Sequence, residues 1–196
     1  MKVLILKGSP RKNGNTASLV APFAERLGEA GCSVKQIDLY DLDLRPCIAC
    51  RHCQEDWSEL HCWQKDDMQM VYDEFQASDL AVLATPIYVW YCTPPMKSVL
   101  DRLTYGMDKY YGEEKGPALG AGKKIALITT CGYPPEKGCD LWETGVKRWC
   151  RHSQLELVGS MVERHMGYKT VFMDDEKAAH ARAFADELLK NCCGQL

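Results

Sequence analysis

The chain has 196 residues, 46% of them hydrophobic and 26% charged, with a net charge of −3 at pH 7. That describes one globular domain able to bury a core without staples, and the slight acidity gives no electrostatic case for a nucleic acid or an anionic membrane as partner. Met1-Lys2 leads directly into a core-like strand and no apolar run reaches transmembrane length, so the cytoplasm is the expected compartment. There the eleven cysteines point away from a disulfide framework and toward metal ligation, redox chemistry or plain burial.

Residues 3–6, Val-Leu-Ile-Leu, read as a first strand, and residues 16–30 as a helix with Leu19, Phe23 and Leu27 on one face. Asn15 suits the N-cap of that helix and Gly31 its stop, while Pro22 predicts a kink or local distortion. Between strand and helix lies Gly8-Ser9-Pro10-Arg11-Lys12-Asn13-Gly14-Asn15-Thr16. A polar, glycine-containing loop opening a helix holds a phosphate, because its N–H groups and the helix dipole both favour an anion. Here it adds the hydroxyls of Ser9 and Thr16, the amides of Asn13 and Asn15 and the Arg11 guanidinium, a set suited to a terminal phosphate monoester. Two familiar phosphate loops are excluded. Gly8 lacks a Gly-Lys-Ser/Thr at P-loop spacing, and Ser9-Pro10 breaks a G-x-G-x-x-G fingerprint.

Residues 33–39 alternate as a second strand. Residues 40–65 form a long connection carrying Cys47, Cys50, Cys53 and Cys62, spaced C-x2-C-x2-C-x8-C. The compact run suits an iron–sulfur cluster better than zinc. Three readings stand: a [4Fe–4S] cluster, a zinc site borrowing His52 or His61, or metal-free loop-lining thiols. A helix is expected over 66–77 and an apolar third strand over 80–85. The following loop contains Pro86, Ile87, Tyr88, Val89, Trp90 and Tyr91. Its aromatics suit a planar cofactor at a ligand edge, or else cap the core or fill an oligomer interface.

A helix beginning at Pro94 or Pro95 runs to about residue 103, and Gly120-Ala121-Gly122 is a turn before a fourth strand over 125–130. After that strand, Thr129-Thr130-Cys131-Gly132 presents hydroxyls and closely approachable backbone. A helix over 140–153, a fifth strand over 155–161 and a helix over 174–191 complete the pattern, with Cys192-Cys193 expected in a fraying tail. His152, His165 and His180 show no partner pattern and read as surface residues. Alternating strands and helices predict an α/β doubly wound parallel sheet in the order 2-1-3-4-5, with ligands beyond the carboxyl ends of strands one, three and four.

Three such loops at one sheet edge resemble the flavodoxin-like NAD(P)H-dependent FMN reductase family, particularly its iron–sulfur flavoprotein-like branch. The matching blocks are Gly8-Ser9-Pro10-Arg11 with Gly14-Asn15-Thr16, Pro46-Cys47-Ile48-Ala49-Cys50 with Cys53 and Cys62, Asp66-Asp67-Met68, Ala84-Thr85-Pro86-Ile87-Tyr88, and Met96-Lys97 with Asp101-Arg102. The resemblance implies bound FMN, a homodimer or dimer of dimers, and reduction of the flavin by NAD(P)H or another electron donor. It places Ser9, Arg11, Asn13, Asn15 and Thr16 on the FMN phosphate. Pro86, Ile87, Tyr88 and Trp90 would border the isoalloxazine, with Thr130, Cys131 and Gly132 near its other edge. No side chain is expected to act as general acid or base, since the hydride chemistry belongs to the flavin. An electron carrier without its own small substrate and a non-enzymatic metal-binding or redox-sensing module are the rival functions.

Overall fold

The computed structural model describes residues 1–167 and 169–193, with the Cys193 side chain left out. Five strands form one sheet: β1 (Lys2–Lys7), β2 (Ser33–Asp38), β3 (Leu80–Pro86), β4 (Lys124–Cys131) and β5 (Glu156–Arg164). They are all parallel, in the order β2-β1-β3-β4-β5. The helices are α1 (Asn15–Glu29), α2 (Met68–Ala77), α3 (Pro94–Met107), the short α4 (Pro135–Gly138), α5 (Asp140–His152) and α6 (Asp175–Cys193). No helix among the described residues is long and apolar enough to cross a membrane.

Side chains alternate across each strand, so each strand feeds two cores. On one face Leu4, Leu6, Ala81, Leu83, Ile125 and Leu127 pack under α2, α3 and α5. On the other, Val3, Ile5, Val82, Ala84, Ala126 and Ile128 pack under α1 and α6. The flavodoxin-like order follows, with the carboxyl ends of β1, β3 and β4 side by side.

Local departures from the sequence reading have physical causes. Gly14, not Asn15, is the N-cap of α1. The helix also runs unbroken through the half-buried Pro22. Gly31 adopts φ +78° and donates to the Gly28 carbonyl at 2.9 Å, closing α1 as expected. Cys192 lies within α6, and its carbonyl accepts from Lys124 Nζ at 2.9 Å. From the cysteine-bearing connection, Gln54 Nε2 donates to the carbonyls of Tyr105 (2.6 Å) and Asp108 (3.1 Å) at the end of α3.

Candidate functional site

The β1–α1 loop turns sharply because Gly8 has no side chain. A Cβ there would stand 3.0 Å from Thr93 Oγ1 and 3.2 Å from Met96 Cβ. Its N–H donates to the Ala84 carbonyl at 2.8 Å and its carbonyl accepts from Thr93 Oγ1 at 2.6 Å. Ser9 Oγ accepts from the Arg11 N–H at 3.2 Å, and Gly14 N–H returns to the Arg11 carbonyl at 3.0 Å. A Cβ on Gly14 would stand 2.8 Å from Arg11 Cβ, so the loop closes only around glycine. Because Gly14 offers no capping side chain, the first-turn N–H groups of α1 remain open. Arg11 and Asn13 stand exposed beside them. An uncapped helix start with an exposed guanidinium and amide fits a phosphate.

The structure brings Asn15 and Thr16 into the loop but engages their side chains elsewhere. Asn15 Nδ2 lies 2.9 Å from His165 Nδ1, and His165 Nε2 lies 3.0 Å from Thr170 Oγ1. An Nε2–H tautomer satisfies both contacts. His165 is thus no idle surface residue. His152 (to Tyr111) and His180 (to Glu163) also have side-chain partners. Thr16 Oγ1 lies 2.9 Å from Thr130 Oγ1, both buried.

After β3, Ile87 N–H donates to the Thr130 carbonyl at 2.9 Å, tying Pro86 and Ile87 to the end of β4. Tyr88 and Tyr91 then exchange backbone hydrogen bonds of 2.8 and 3.1 Å around a two-residue turn. Its centre is Val89 (φ +51°) and Trp90 (φ +62°), a conformation that ordinarily selects Asn-Gly. The aromatics divide between the two roles the sequence left open. Tyr91 turns inward, edge-on to Trp142 at 5.3 Å. Tyr88 and Trp90 stay exposed. Trp90 stacks on Tyr133 (centroids 6.1 Å apart, planes 16° apart), and its indole N–H donates to the Lys137 carbonyl at 3.0 Å. The loops after β3 and β4 therefore form one aromatic wall.

Next to this wall Gly132 is exposed, with no atom within 4 Å of where a Cβ would stand. Cys131 is buried, its Sγ 3.2 Å from the Tyr133 carbonyl. Hydrogen bonding from Cys139, helped by Arg164, holds the Cys131 thiol below its ordinary pKa, and the same contact pushes Cys139 up. The Thr129 hydroxyl is buried without a protein partner.

The four cysteines of the β2–α2 connection line a single hollow with Gln64, Tyr72, Arg102 and Tyr105. Two residues with side chains adopt left-handed backbone there, Ala49 (φ +53°) and Arg51 (φ +66°). Each such residue costs roughly 1–2 kcal/mol, and the two reversals bring Cys47, Cys50 and Cys53 to one hollow. The Ala49 N–H already points at Cys47 Sγ, 3.4 Å away. No group of three or more His, Cys, Asp or Glu among the described residues closes on one ion. A mononuclear zinc tetrahedron, with each sulfur about 2.3 Å from the metal, is thus not preformed. Four thiols lining one hollow are the donor set that a [4Fe–4S] cluster takes.

Behind the cysteines lie two buried cations. Arg102 makes a two-point pair with Asp66 at 2.5 and 2.8 Å, both side chains fully buried, and donates to the Arg45 carbonyl at 3.1 Å. Arg102 Nε remains buried without a partner. Lys109, 0% exposed, donates to the carbonyls of Cys53 (2.6 Å) and Glu59 (3.1 Å). Burial pushes the Lys109 ammonium down from its ordinary pKa and the Cys53 thiol up. Sequence reading included Arg102 only as part of a motif and passed over Lys109. A lone lysine after an amphipathic helix carries no local sign that it will be buried.

The doubly wound sheet, with the open β1–α1 loop and the aromatic wall at the switch of strand order, defines a flavodoxin-like fold. A model of the NADPH-dependent FMN reductase family matches residues 1–135, and the chain belongs to that family. An iron–sulfur flavoprotein of Methanocaldococcus jannaschii is 34% identical over 102 residues, 52% of this chain and 51% of that protein. One from Archaeoglobus fulgidus is 32% identical over 107 residues, 54% of this chain and 47% of that protein. The match thus spans about half the length of these two relatives. An FMN-dependent NADH:quinone oxidoreductase of Azospirillum brasilense is 26% identical over 146 residues, 67% of this chain and 68% of that protein. Among solved structures, a flavone reductase superposes with a TM-score of 0.72 at 16% identity, covering 99% of this chain and 64% of its own. An NAD(P)H:quinone oxidoreductase from Methanothermobacter marburgensis gives 0.63 at 20% identity, covering 100% and 97%. At these identities the superpositions speak for the fold.

Proposed function

We propose that the whole chain is one FMN-binding unit, an oxidoreductase that takes electrons from NAD(P)H and passes them to a small-molecule or protein acceptor. The observation that carries this reading is the open start of α1, with Arg11 and Asn13 exposed beside it, at the same sheet edge as the Trp90–Tyr133 wall. Membership in the FMN reductase family supports the choice of ligand. In this reading Arg11 and Asn13 contact the phosphate through side chains. Asn15 and Thr16 contribute chiefly backbone N–H groups, since their side chains hold His165 and Thr130. Ser9 orders the loop through Arg11 N–H. Pro86, Ile87, Tyr88 and Trp90 border the ring from one loop, and Thr130, Cys131 and Gly132 from the other. Bound FMN supplies the hydride chemistry; the chain binds, orients and shields it.

The exposed Tyr88, Val89, Trp90, Tyr133 and Leu141 favour a homodimer or dimer of dimers in which a second copy covers this edge. The free thiols of Cys47, Cys50, Cys53 and Cys62 suit a cytoplasmic setting. A second reading concerns Cys47, Cys50, Cys53 and Cys62. Their shared hollow, and the naming of two relatives as iron–sulfur flavoproteins, favour a [4Fe–4S] cluster that lets the protein exchange single electrons. The test is a visible spectrum and FMN titration of anaerobically purified protein, followed by NAD(P)H oxidation with a quinone acceptor. A flavin spectrum with turnover is expected. A colourless protein that binds no added FMN would sink the flavoenzyme reading in favour of a binding module. Flavin without turnover would favour the electron carrier.

A further inference from the structure

Lys109 poses an electrostatic problem. Its side chain is sealed, 0% exposed, beneath Trp57 and Gly116. A Cβ on Gly116 would stand 2.7 Å from Lys109 Cβ and 2.8 Å from Trp57 Cδ2. The ammonium finds two carbonyls, of Cys53 and Glu59, and neither is charged. Asp56 and Glu59 have exposed side chains and act on it only from beyond ion-pair reach. A buried ion without a counter-charge is strongly disfavoured in a folded protein. A group able to supply a counter-charge is close: Lys109 donates to the backbone carbonyl of Cys53, whose thiol carries a negative charge when it ligates a metal.

Arg102 repeats the pattern at the other side of the hollow. Its charge is matched by Asp66, but its Nε–H is buried without a partner among the described residues, and Arg102 lines the same hollow as Cys62. One ammonium bonded to the backbone of Cys53 and one idle N–H in the wall of the hollow therefore accompany the four thiols. As thiols these are neutral and give Lys109 no counter-charge. As thiolates around a metal cluster they are anionic, and reduction of the cluster adds one more negative charge.

We infer that Lys109 is the counter-ion of the four-cysteine centre and that Arg102 donates its Nε–H to the sulfur on the Cys62 side, so that together they favour the reduced state of the centre. Both are positioning and tuning residues; neither is a ligand. The inference rests on the cluster reading above, and the experiment separates the two.

Wild-type protein is reconstituted anaerobically with ferrous iron and sulfide, assayed for both, and titrated with dithionite under EPR. Lys109→Met and Lys109→Gln are treated identically, the glutamine keeping a donor for the carbonyls while removing the charge. Stoichiometric loading of the wild type is expected. Both variants should load, with the reduced centre disfavoured at least tenfold, a shift of about 59 mV to more negative potential for a one-electron couple. Lys109→Arg should restore the wild-type potential. Loading with an unchanged potential in both neutral variants would overturn the role of Lys109 and leave the cluster standing. A wild type that takes up no stoichiometric iron and sulfide would overturn the cluster reading itself and this inference with it. Circular dichroism of the metal-free proteins identifies a variant that fails to fold. A metal-free Lys109→Gln that folds but never loads would also count against the inference, because it would make Lys109 a requirement for assembly instead of a tuning charge.

Discussion

The hydroxyl oxygens of Thr16 and Thr130 lie 2.9 Å apart in the buried space between the start of α1 and the end of β4. This contact fixes the β1–α1 loop to the strand that ends at Cys131, across 114 residues of sequence. Replacing either threonine by valine leaves the other hydroxyl buried and unpaired, which costs about 1–3 kcal/mol. The double replacement should cost less than the sum of the singles, because it leaves no orphan. Urea unfolding of the three variants measures this; strict additivity would show that the contact carries no energy.

Arg11 is exposed, and among the described residues its guanidinium makes no hydrogen bond or ion pair. Arg11→Ala should weaken FMN binding by about 1.5–3 kcal/mol, the range of a charge-assisted hydrogen bond, with unchanged thermal stability of the apoprotein. Fluorescence titration with FMN checks it. Equal affinity in variant and wild type would place the phosphate elsewhere.

The buried Asp66–Arg102 pair is expensive to halve. Asp66→Ala leaves a guanidinium sealed without its carboxylate and should destabilise the protein by about 3–5 kcal/mol. The pair also sets a pH response. Burial alone would raise the Asp66 pKa, but the Arg102 guanidinium and the N–H groups of Arg45 and Met68 outweigh it and hold the carboxyl below its ordinary 3.8. A depressed folded value means that the contribution is complete above the unfolded value and lost as pH falls through the folded one. Stability should therefore drop in acid below about pH 4, and Asp66→Asn should flatten that limb. An acid limb of unchanged slope in a folded Asp66→Asn would refute the assignment.

Val89 holds a β-branched side chain in left-handed backbone, 86% exposed, at the tip of the aromatic turn. Val89→Gly should relieve strain and stabilise the apoprotein by about 1 kcal/mol. A lower melting temperature would mean that the valine earns its place through a contact with another copy of the chain, which light scattering of the same variant would reveal.

The strand order and the positions of the three edge loops were legible because they depend on short-range patterns: an apolar run, a glycine, then a helical period. His165 was not. Its role comes from Asn15, 150 residues away, and nothing around Met166 or Gly167 signals it. The same holds for Lys109, whose burial depends on Trp57 and Gly116 folding over it. Residues 88–91 were legible only in part. Alternating aromatics marked a ligand edge, yet the left-handed pair Val89-Trp90 contradicts ordinary turn chemistry, so no propensity rule would place a tight hairpin there. The short α4 escaped because four residues are too few to show a period.

Gln54 completes the end of α3 from outside, its amide taking the Tyr105 and Asp108 carbonyls that the helix cannot serve itself. The cysteine-bearing connection and the last turn of α3 must therefore open together. In amide hydrogen exchange the two segments should share one opening free energy, below that of the β1–β3–β4 centre of the sheet. Anything that locks the connection will lengthen the protected part of α3, so the order of the cysteine region can be read from a helix that contains no cysteine.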